Sequence, residues 1–233
     1  MFSLDSKTID LLLRETYPSY QATSPADGNL GFGFLFYAFT RLARPQNVIV
    51  IGSKAGFSVI SFALALKDNA GTLVHRVQCY DTELIHSAGR GTVHFVDPSY
   101  SEQRGDPGHW HGIGFWDDPE RVKEHWDKFG VADYIHHYKT TSSEFLHCPD
   151  CPREVDLLYI DGDHSREGVR HDFEQYHAIL RADALILAHD VDPALKNFDP
   201  GTGGYEALTS LDPHKFEVCR LPIFPGMAIV RRK

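Results

Sequence analysis

The residues of this chain best suited to chemistry follow directly on one apolar run. The run VDLLYI, residues 155–160, is followed by Asp161, Gly162, Asp163 and His164, and a helical pattern then begins. Carboxylates and imidazoles exchange protons and bind ligands. Gly162 fits a sharp turn between the two acids, because glycine tolerates positive φ. We therefore predict that this segment belongs to a functional site.

Acidic residues end two other predicted strands in the same way. Asp97 lies near the end of the predicted strand 92–99, and Asp190 lies near the end of the predicted strand 184–191. Ligands of parallel sheets bind beyond the carboxyl ends of the strands. The three acidic positions therefore predict a binding cleft along one edge of a sheet.

Strands and helices alternate along the sequence. Short β-branched or apolar runs predict strands, and apolar residues at helical spacing predict helices. The predicted strands are 47–52, 92–99, 134–141, 155–161 and 184–191, and the predicted helices are 4–16, one ending at Ala43, 57–66, 118–130 and 165–180. This order predicts an α/β fold with a mostly parallel sheet covered by helices on both faces. Residues 215–232 predict a C-terminal antiparallel hairpin.

The length of 233 residues predicts a single domain, 1–233, with its own core. Within it, residues 1–45 predict an N-terminal helical cap, and residues 100–130 predict an inserted loop and helix. A loop as long as 100–117 inside a domain is more often functional than idle.

The composition excludes some classes of function. The formal net charge is −9, and no basic stripe is present that could neutralise phosphates, so we expect no nucleic-acid binding. No apolar stretch reaches the length of a membrane span and the N-terminus shows no signal-peptide pattern, so we expect no membrane partner and a cytoplasmic location.

Cysteine offers little chemistry. Cys148 and Cys151 form a CxxC pair, but no second pair supplies the four ligands of a closed zinc site. We expect a turn at this position in preference to a metal or redox site.

The turn after the first predicted strand bears on the cofactor. It reads GSKAG, from Gly52 to Gly56, and lacks both the GxGxxG pattern of dinucleotide sites and the phosphate-binding GxxxxGK[ST] pattern. A wide glycine turn suits a cofactor without phosphates, and the alternative is a plain strand-to-helix turn. Asp97 could accept hydrogen bonds from both hydroxyls of a ribose, or could simply cap a loop.

Four segments together resemble a known family. NVIVIGSKAGFS, VHFVDPS, LLYIDGDHSREGVRHDFE and LILAHDV resemble the successive motifs of class I S-adenosylmethionine-dependent methyltransferases, and in particular the small-molecule O-methyltransferases with an IDGDHSYEGV segment. Catechol and macrolide-sugar O-methyltransferases are metal-dependent relatives. The resemblance covers about residues 28–231 and implies a Rossmann-like fold with a seven-stranded sheet. Two positions depart from the family: Val50 stands where an acid is usual, and RADA (181–184) replaces Pro-Gly-Gly.

The resemblance implies a set of cofactor-binding residues. S-adenosyl-L-methionine would be held by Gly52, Ser53, Lys54, Gly56, Ser58, Asp97, Pro98, Ser143 and Asp161. Val50 motivates an alternative, a non-catalytic protein that binds S-adenosylmethionine on the same fold.

The resemblance also implies a metal site. In the family topology the fourth and fifth strands are neighbours about 5 Å apart, so Asp161 and Asp190 can converge on one cation. By resemblance Asp161, His189 and Asp190 match metal-binding positions. Oxygen ligands favour Mg²⁺, and a histidine ligand makes Mn²⁺ or Fe²⁺ more suitable. The alternative is that Asp161 caps the next helix and His189 merely packs.

Methyl transfer to oxygen needs a base for the hydroxyl proton. His164 has an ordinary pKa near 6.5 and aligns loosely with the lysine base of the catechol enzymes. Asp163 matches the base position of some sugar-methylating relatives. We favour His164 over Asp163 as the catalytic base.

Substrate choice is expected to depend on the 100–117 loop and the N-terminal segment. The aromatic side chains of the loop could cover a sugar or aromatic hydroxyl acceptor, or could bury against a second copy in a homodimer; they are His109, Trp110, His111, Phe115 and Trp116. A third hypothesis is an oxygenase-like enzyme that uses the acidic and histidine cluster for iron.

Overall fold

The computed structural model describes residues 2–70, 77–79, 82–84, 90–99 and 116–233, with the backbone alone in the two shortest ranges. The helices are α1 (Ser6–Glu15), α2 (Phe32–Ala43), α3 (Phe57–Ala70), α4 (Pro119–Asp127), α5 (Ser142–Phe145), α6 (Arg166–Tyr176) and α7 (Gly204–Thr209). The strands are β1 (Asn47–Ile51), β2 (Val77–Cys79), β3 (Thr82–Leu84), β4 (Thr92–Val96), β5 (Ile135–Tyr138), β6 (Val155–Ile160), β7 (Leu180–His189), β8 (Phe216–Leu221) and β9 (Met227–Arg232).

Seven strands form one sheet in the order β5-β4-β1-β6-β7-β9-β8. The first five are parallel, and β9 lies antiparallel to both β7 and β8. Ile51 pairs with Ile160, and Ile160 pairs with Ala188, so β1, β6 and β7 end level with one another. The predicted seven-stranded, mostly parallel sheet with a terminal hairpin is confirmed.

Both faces of the sheet are covered by helices. Alternate strand residues point to opposite faces: Val50 packs in a core shared with α1 to α4, whereas Ile51 packs in a second core shared with α6 and α7. Burial on both faces explains why the central strands are continuous apolar runs instead of alternating ones. Val50, at the position where an acid is usual, is completely buried in the first core.

The predicted boundaries differ from the observed ones at β7. This strand begins at Leu180, four residues before the predicted start, because Leu180 pairs with Val155 before the register shifts between Val155 and Leu157. The exposed residues of RADA therefore belong to the strand and not to a preceding turn.

Three short elements were not predicted: α5, α7 and the β2–β3 hairpin. Helix α5 begins with a capping box, in which Thr141 and Glu144 satisfy each other's backbone N–H groups. A backbone bond from Cys151 N to Cys148 O, 3.1 Å long, forms the turn expected after it. Among the described residues, no helix is long and apolar enough to cross a membrane.

Candidate active site

The carboxyl ends of the parallel strands border a cleft of about 1430 Å³. Its walls come from the loops that follow β4, β1, β6 and β7, from the N-terminal segment 16–23 and from the segments around Phe198 and Phe224. The cleft lies where the acidic strand ends predicted it. The N-terminal segment, expected to influence substrate choice, lines it as well.

The turn after β1 approaches β6 very closely at Gly52. This residue has a φ of +73°, and a Cβ there would lie 2.4 Å from the carbonyl oxygen of Asp161. No other residue fits such a contact without displacing backbone. Ser53 and Lys54, predicted to bind the cofactor, both line the cleft, and Lys54 Nζ lies 4.5 Å from the centre of the Tyr20 ring.

Two predicted cofactor-binding residues lie behind the cleft wall. Gly56 has a φ of +81° and packs under Trp126 and Trp116, whose rings would be 2.7 and 3.0 Å from a Cβ at this position. Ser58 is buried, and its hydroxyl lies 3.0 Å from the hydroxyl of Ser53. Neither residue lines the cleft.

Asp97 and Pro98 line the cleft at the end of β4, as predicted. Burial raises the pKa of Asp97 to about 6, although hydrogen bonds from the backbone N–H groups of Ser99 and Ser53 oppose the shift. The Ser99 bond to Asp97 Oδ1 is 2.8 Å long. The carboxylate is thus fixed in position at the edge of the cleft.

Ser143 is not on the cleft wall. Its hydroxyl lies 2.7 Å from Nε2 of His171, and its neighbours Thr141 and Ser142 line the cleft instead. The unpredicted helix α5 places Ser142 on the cleft wall and turns Ser143 away from it. Ser142 donates a 2.6 Å hydrogen bond to Asp172 Oδ1.

Asp161, His164 and Asp190 meet on the cleft floor. Nδ1 of His164 lies 3.0 Å from Asp190 Oδ2, and Nε2 of the same ring lies 3.6 Å from Asp161 Oδ1. One potential ligand atom from each of the three residues lies within 4.8 Å of the others. Asp190 has a φ of +55°, a strained value for a residue with a side chain. Such strain is characteristic of functional sites.

His189 lies beneath the two carboxylates. Its Nδ1 is 3.2 Å from Asp161 Oδ1 and 3.0 Å from Asp190 Oδ1. Despite these distances, neither ring nitrogen makes a hydrogen bond of normal geometry within the described part of the chain. A buried imidazole nitrogen facing two carboxylates without a directed hydrogen bond fits a ligand of a cation. The four side chains therefore fit a divalent metal such as Mn²⁺, Fe²⁺ or Mg²⁺.

The charges of this cluster are strongly coupled. Burial alone would raise the pKa of Asp190, but His189 and His164 outweigh it and hold that pKa far below its usual range. Burial alone would lower the pKa of His189, but Asp190 and Asp161 raise it to about 10. The pKa of His164 is likewise raised by the two carboxylates against the effect of burial. Two carboxylates thus balance two protonated rings, and a divalent cation can supply the same charge.

Two residues that sequence reasoning missed hold Asp161 in place. Gln21 Nε2 donates to Asp161 Oδ2 over 3.1 Å, and the hydroxyl of Tyr159 donates to the same oxygen over 3.2 Å. Tyr159 precedes Asp161 by two residues, and the two-residue period of a strand was a signal that could have identified it. Gln21 lies in a Gly- and Pro-rich loop that gave no such signal.

Asp163, the alternative base, interacts with the start of α6. Its Oδ1 accepts a 2.8 Å hydrogen bond from the backbone N–H of Ser165, and its carboxylate packs directly on Gly168. Asp163 is exposed and lines the cleft, but it makes no contact with the Asp161–His164–Asp190 cluster among the described interactions.

Trp116 is buried in the core and does not line the cleft. It stacks on Trp126 at 5.0 Å between ring centres and meets the Phe95 ring edge-on. The other loop residues proposed to cover the acceptor lie outside the described residues: His109, Trp110, His111 and Phe115.

Comparisons with solved structures show the same fold. An S-adenosylhomocysteine-bound methyltransferase from Podospora anserina has a TM-score of 0.60 and 16% identity, covering 98% of this chain and 87% of that one. The O-methyltransferase TomG from Streptomyces achromogenes, in complex with S-adenosylmethionine, has a TM-score of 0.58, 15% identity and coverage of 98% and 89%. An O-methyltransferase from Bacillus cereus, in complex with S-adenosylhomocysteine, has a TM-score of 0.60, 13% identity and coverage of 97% and 91%.

No curated protein matches the chain. The model of a family described as "Methyltransferase domain" matches residues 49–191, from β1 to the residue after Asp190. This match spans more than half of the chain and contains the whole acidic and histidine cluster. The resemblance to class I methyltransferases is confirmed, and the chain belongs to the methyltransferase-domain family.

Proposed function

We propose that this methyltransferase transfers the methyl group of S-adenosylmethionine to a hydroxyl of a small molecule, assisted by a divalent cation. The observation that carries the proposal is the cluster of Asp161, His164 and Asp190 on the floor of the cleft. A cluster of this composition has no evident structural purpose in a site that would bind only a neutral ligand, because buried charges are costly.

The cofactor site is supported by residues that line the cleft. The glycine turn at Gly52 lets backbone approach a ligand closely, and Asp97 offers a fixed carboxylate for the ribose hydroxyls. S-adenosylmethionine, when bound, supplies a methyl group on a positively charged sulfur. Two proteins with the same fold were solved with such ligands: TomG with S-adenosylmethionine, and the O-methyltransferase from Bacillus cereus with S-adenosylhomocysteine.

The cation would be held by Asp161 and Asp190, with His189 as a nitrogen ligand from below, and His164 lies beside this set. When bound there, a divalent ion would lower the pKa of an acceptor hydroxyl. Gln21 and Tyr159 keep Asp161 in position, as residues behind metal ligands commonly do.

His164 is assigned as the base that takes the hydroxyl proton of the acceptor. Asp161 and Asp190 hold the pKa of this ring high. A cation that balanced their negative charge would let that pKa return towards its usual range, where the ring would suit a base at neutral pH. Asp163 is the second candidate, since it lines the cleft while holding the start of α6.

Calorimetry with S-adenosylhomocysteine is the first test. Binding at micromolar concentration is expected, and its absence at high micromolar ligand would remove the S-adenosylmethionine proposal. Radiolabelled methyl transfer to a set of sugar and aromatic hydroxyl compounds should then be lost with EDTA and restored by Mg²⁺ or Mn²⁺. His164→Ala should lower turnover more than it lowers S-adenosylhomocysteine affinity, and Glu174→Gln, exposed on α6, should leave both unchanged.

Metal analysis of the purified protein tests the oxygenase-like hypothesis. Bound iron in a protein without affinity for S-adenosylhomocysteine would favour that hypothesis over methyl transfer. If the protein binds S-adenosylhomocysteine but transfers no methyl group to any acceptor with any divalent metal ion, the non-catalytic hypothesis is favoured.

A further inference from the structure

The turn after α5 begins and ends with a cysteine. Cys148 and Cys151 are free thiols, and the backbone N–H of Cys151 donates a 3.1 Å hydrogen bond to the carbonyl oxygen of Cys148. A turn closed by such a bond holds its first and last Cα atoms within about 7 Å of each other. Disulfides join Cα atoms that are about 4.4 to 6.8 Å apart. The backbone therefore already holds the two cysteines at the separation that a disulfide needs.

The sequence between the cysteines favours this turn. Pro149 and Asp150 occupy its two central positions, and both are exposed. Proline at the first central position has the φ that the common turn types require, and aspartate is a frequent turn residue. The turn follows Phe145, the last residue of α5, whose side chain is completely buried. The turn predicted from the sequence is thus a preformed scaffold for the two thiols.

The two cysteine side chains face the same part of the protein. Both are half-buried and pack on the second core, the one shared with α6 and α7. A disulfide requires that the two Cα–Cβ bonds do not point apart, and side chains directed at one core meet this condition. Burial raises the pKa of the Cys151 thiol, Cys148 adds to the rise, and Arg153 opposes it. The contribution of Cys148 agrees with two neighbouring sulfurs.

Two other roles of the pair explain less. A structural zinc ion needs four ligands, and in the part of the chain that the structure describes, three or more potential ligand atoms converge only at Asp161, His164 and Asp190. Packing is the second role, because a free cysteine behaves as a small apolar side chain. Packing accounts for the burial of each thiol, but it does not require that both thiols close one hydrogen-bonded turn.

We propose that Cys148 and Cys151 form a redox site, in which the folded turn favours an intramolecular disulfide made by exchange with a small disulfide such as oxidised glutathione. One cysteine thiolate attacks a glutathione sulfur and releases the first glutathione thiolate. The second cysteine thiolate then attacks the mixed disulfide and releases the second. Two protein thiols are oxidised, one glutathione disulfide is reduced to two thiols, and the two protons pass to the glutathione thiolates through solvent.

The test measures how readily the pair is oxidised in folded and in unfolded protein. A Cys79→Ser, Cys219→Ser background leaves only the two cysteines of the turn. This protein is equilibrated with reduced and oxidised glutathione, in native buffer and in concentrated urea, and quenched with acid. Mass spectrometry then separates the dithiol, the glutathione adduct and the disulfide, which is about 2 Da lighter than the dithiol.

The folded protein should have the higher oxidation equilibrium constant. We expect a difference of about 10- to 20-fold, because the folded turn has already closed the short loop that the unfolded chain must close. By thermodynamic linkage, oxidation must lower the equilibrium constant of unfolding by the same factor. Urea denaturation of the oxidised and the reduced protein measures this second value independently.

Pro149→Gly is the matched variant, because it loosens the turn and keeps both thiols. We expect it to reduce the difference between folded and unfolded protein to about threefold or less. Pro152→Gly, one residue beyond the turn, is the control and should retain the full difference. Cys148→Ser and Cys151→Ser should each accumulate the glutathione adduct, since neither has a second thiol to release it.

Three results would overturn the proposal. The first is a folded protein that is oxidised no more readily than the unfolded chain. The second is a folded protein that retains glutathione on one cysteine of the turn and forms no disulfide. The third is a folded Pro149→Gly variant with the full difference, since the turn would then have no part in the oxidation.

Discussion

Gln21 Nε2 donates a 3.1 Å hydrogen bond to Asp161 Oδ2, and so joins the N-terminal segment to the end of β6. Tyr159 donates to the same oxygen over 3.2 Å. With Oδ2 held from two sides, Oδ1 faces His164 and His189. The orientation of the central carboxylate thus depends on a residue 140 positions away in the sequence.

Loss of this bond should weaken metal binding without removing a ligand. Gln21→Leu frees one side of Asp161, and we expect Mn²⁺ affinity to fall about tenfold, the usual effect of removing a residue behind a metal ligand. Calorimetric Mn²⁺ titration gives the affinity, and Gln175→Leu, at an exposed position on α6, is the control. Equal affinity in Gln21→Leu and wild-type protein would show that Asp161 is oriented by other contacts.

Asp163 should prove more important for stability than for metal binding. Asp163→Ala removes the acceptor for the Ser165 N–H at the start of α6. We expect the free energy of unfolding to fall by about 1 kcal/mol, as for other residues that bond the first turn of a helix. Urea denaturation measures this loss. Asp163→Asn keeps an acceptor oxygen and should therefore retain most of the wild-type stability. An unchanged stability combined with loss of methyl transfer would instead make Asp163 the base.

Gly56 should behave as a packing residue. Gly56→Ala combines a φ of +81° with a Cβ 2.7 Å from the Trp126 ring. We expect a loss of about 3 kcal/mol in the free energy of unfolding. Gly28→Ala is the matched control: its φ is +62° and no atom lies within 4 Å of the new Cβ. It should lose only about 1 kcal/mol. Equal losses in urea denaturation would exclude the tryptophan contact as the cause.

Asp172→Asn should stabilise the protein in a pH-dependent way. Burial raises the pKa of this carboxyl from 3.8 to about 6 in the folded chain. The native state therefore holds the proton more tightly than the unfolded state, and wild-type protein loses stability as pH rises from about 4 to 6. Above that window the variant should be more stable by about 2 to 3 kcal/mol, and below it the difference should vanish. Urea denaturation between pH 4 and 8 checks the profile, and a constant difference at every pH would contradict the cause.

The sheet could be predicted from the sequence because its signals are local. The apolar runs that form β1, β6 and β7 are buried on both faces, and each of these strands is followed by a polar or glycine residue at the cleft. The acidic strand ends placed the cleft for the same reason. The predicted start of β7 was wrong, because Leu180 joins the strand through its pairing with Val155, and this pairing is not visible in the local sequence.

The differences between the expected and the observed positions of the site residues have long-range causes. Gly56 fits the spacing of a cofactor turn, but its neighbours Trp116 and Trp126 come from a distant segment. Gln21 and Asp172 gave no signal, since their importance depends on partners at Asp161 and Ser142. His164 was predicted as a base, and its position beside Asp190 became visible only when β6 and β7 were adjacent in space.

The proposed metal-assisted mechanism is tested most directly by a Mn²⁺ titration of EDTA-treated protein. Calorimetry measures the binding, and the electron paramagnetic resonance spectrum of free Mn²⁺ measures the unbound ion. Wild-type protein should bind a single ion, Asp161→Ala and Asp190→Ala should each lose the site, and Asp163→Ala should keep it. Wild-type protein without Mn²⁺ affinity, or a doubly substituted Asp161→Ala, Asp190→Ala protein that binds as wild type does, would contradict the mechanism.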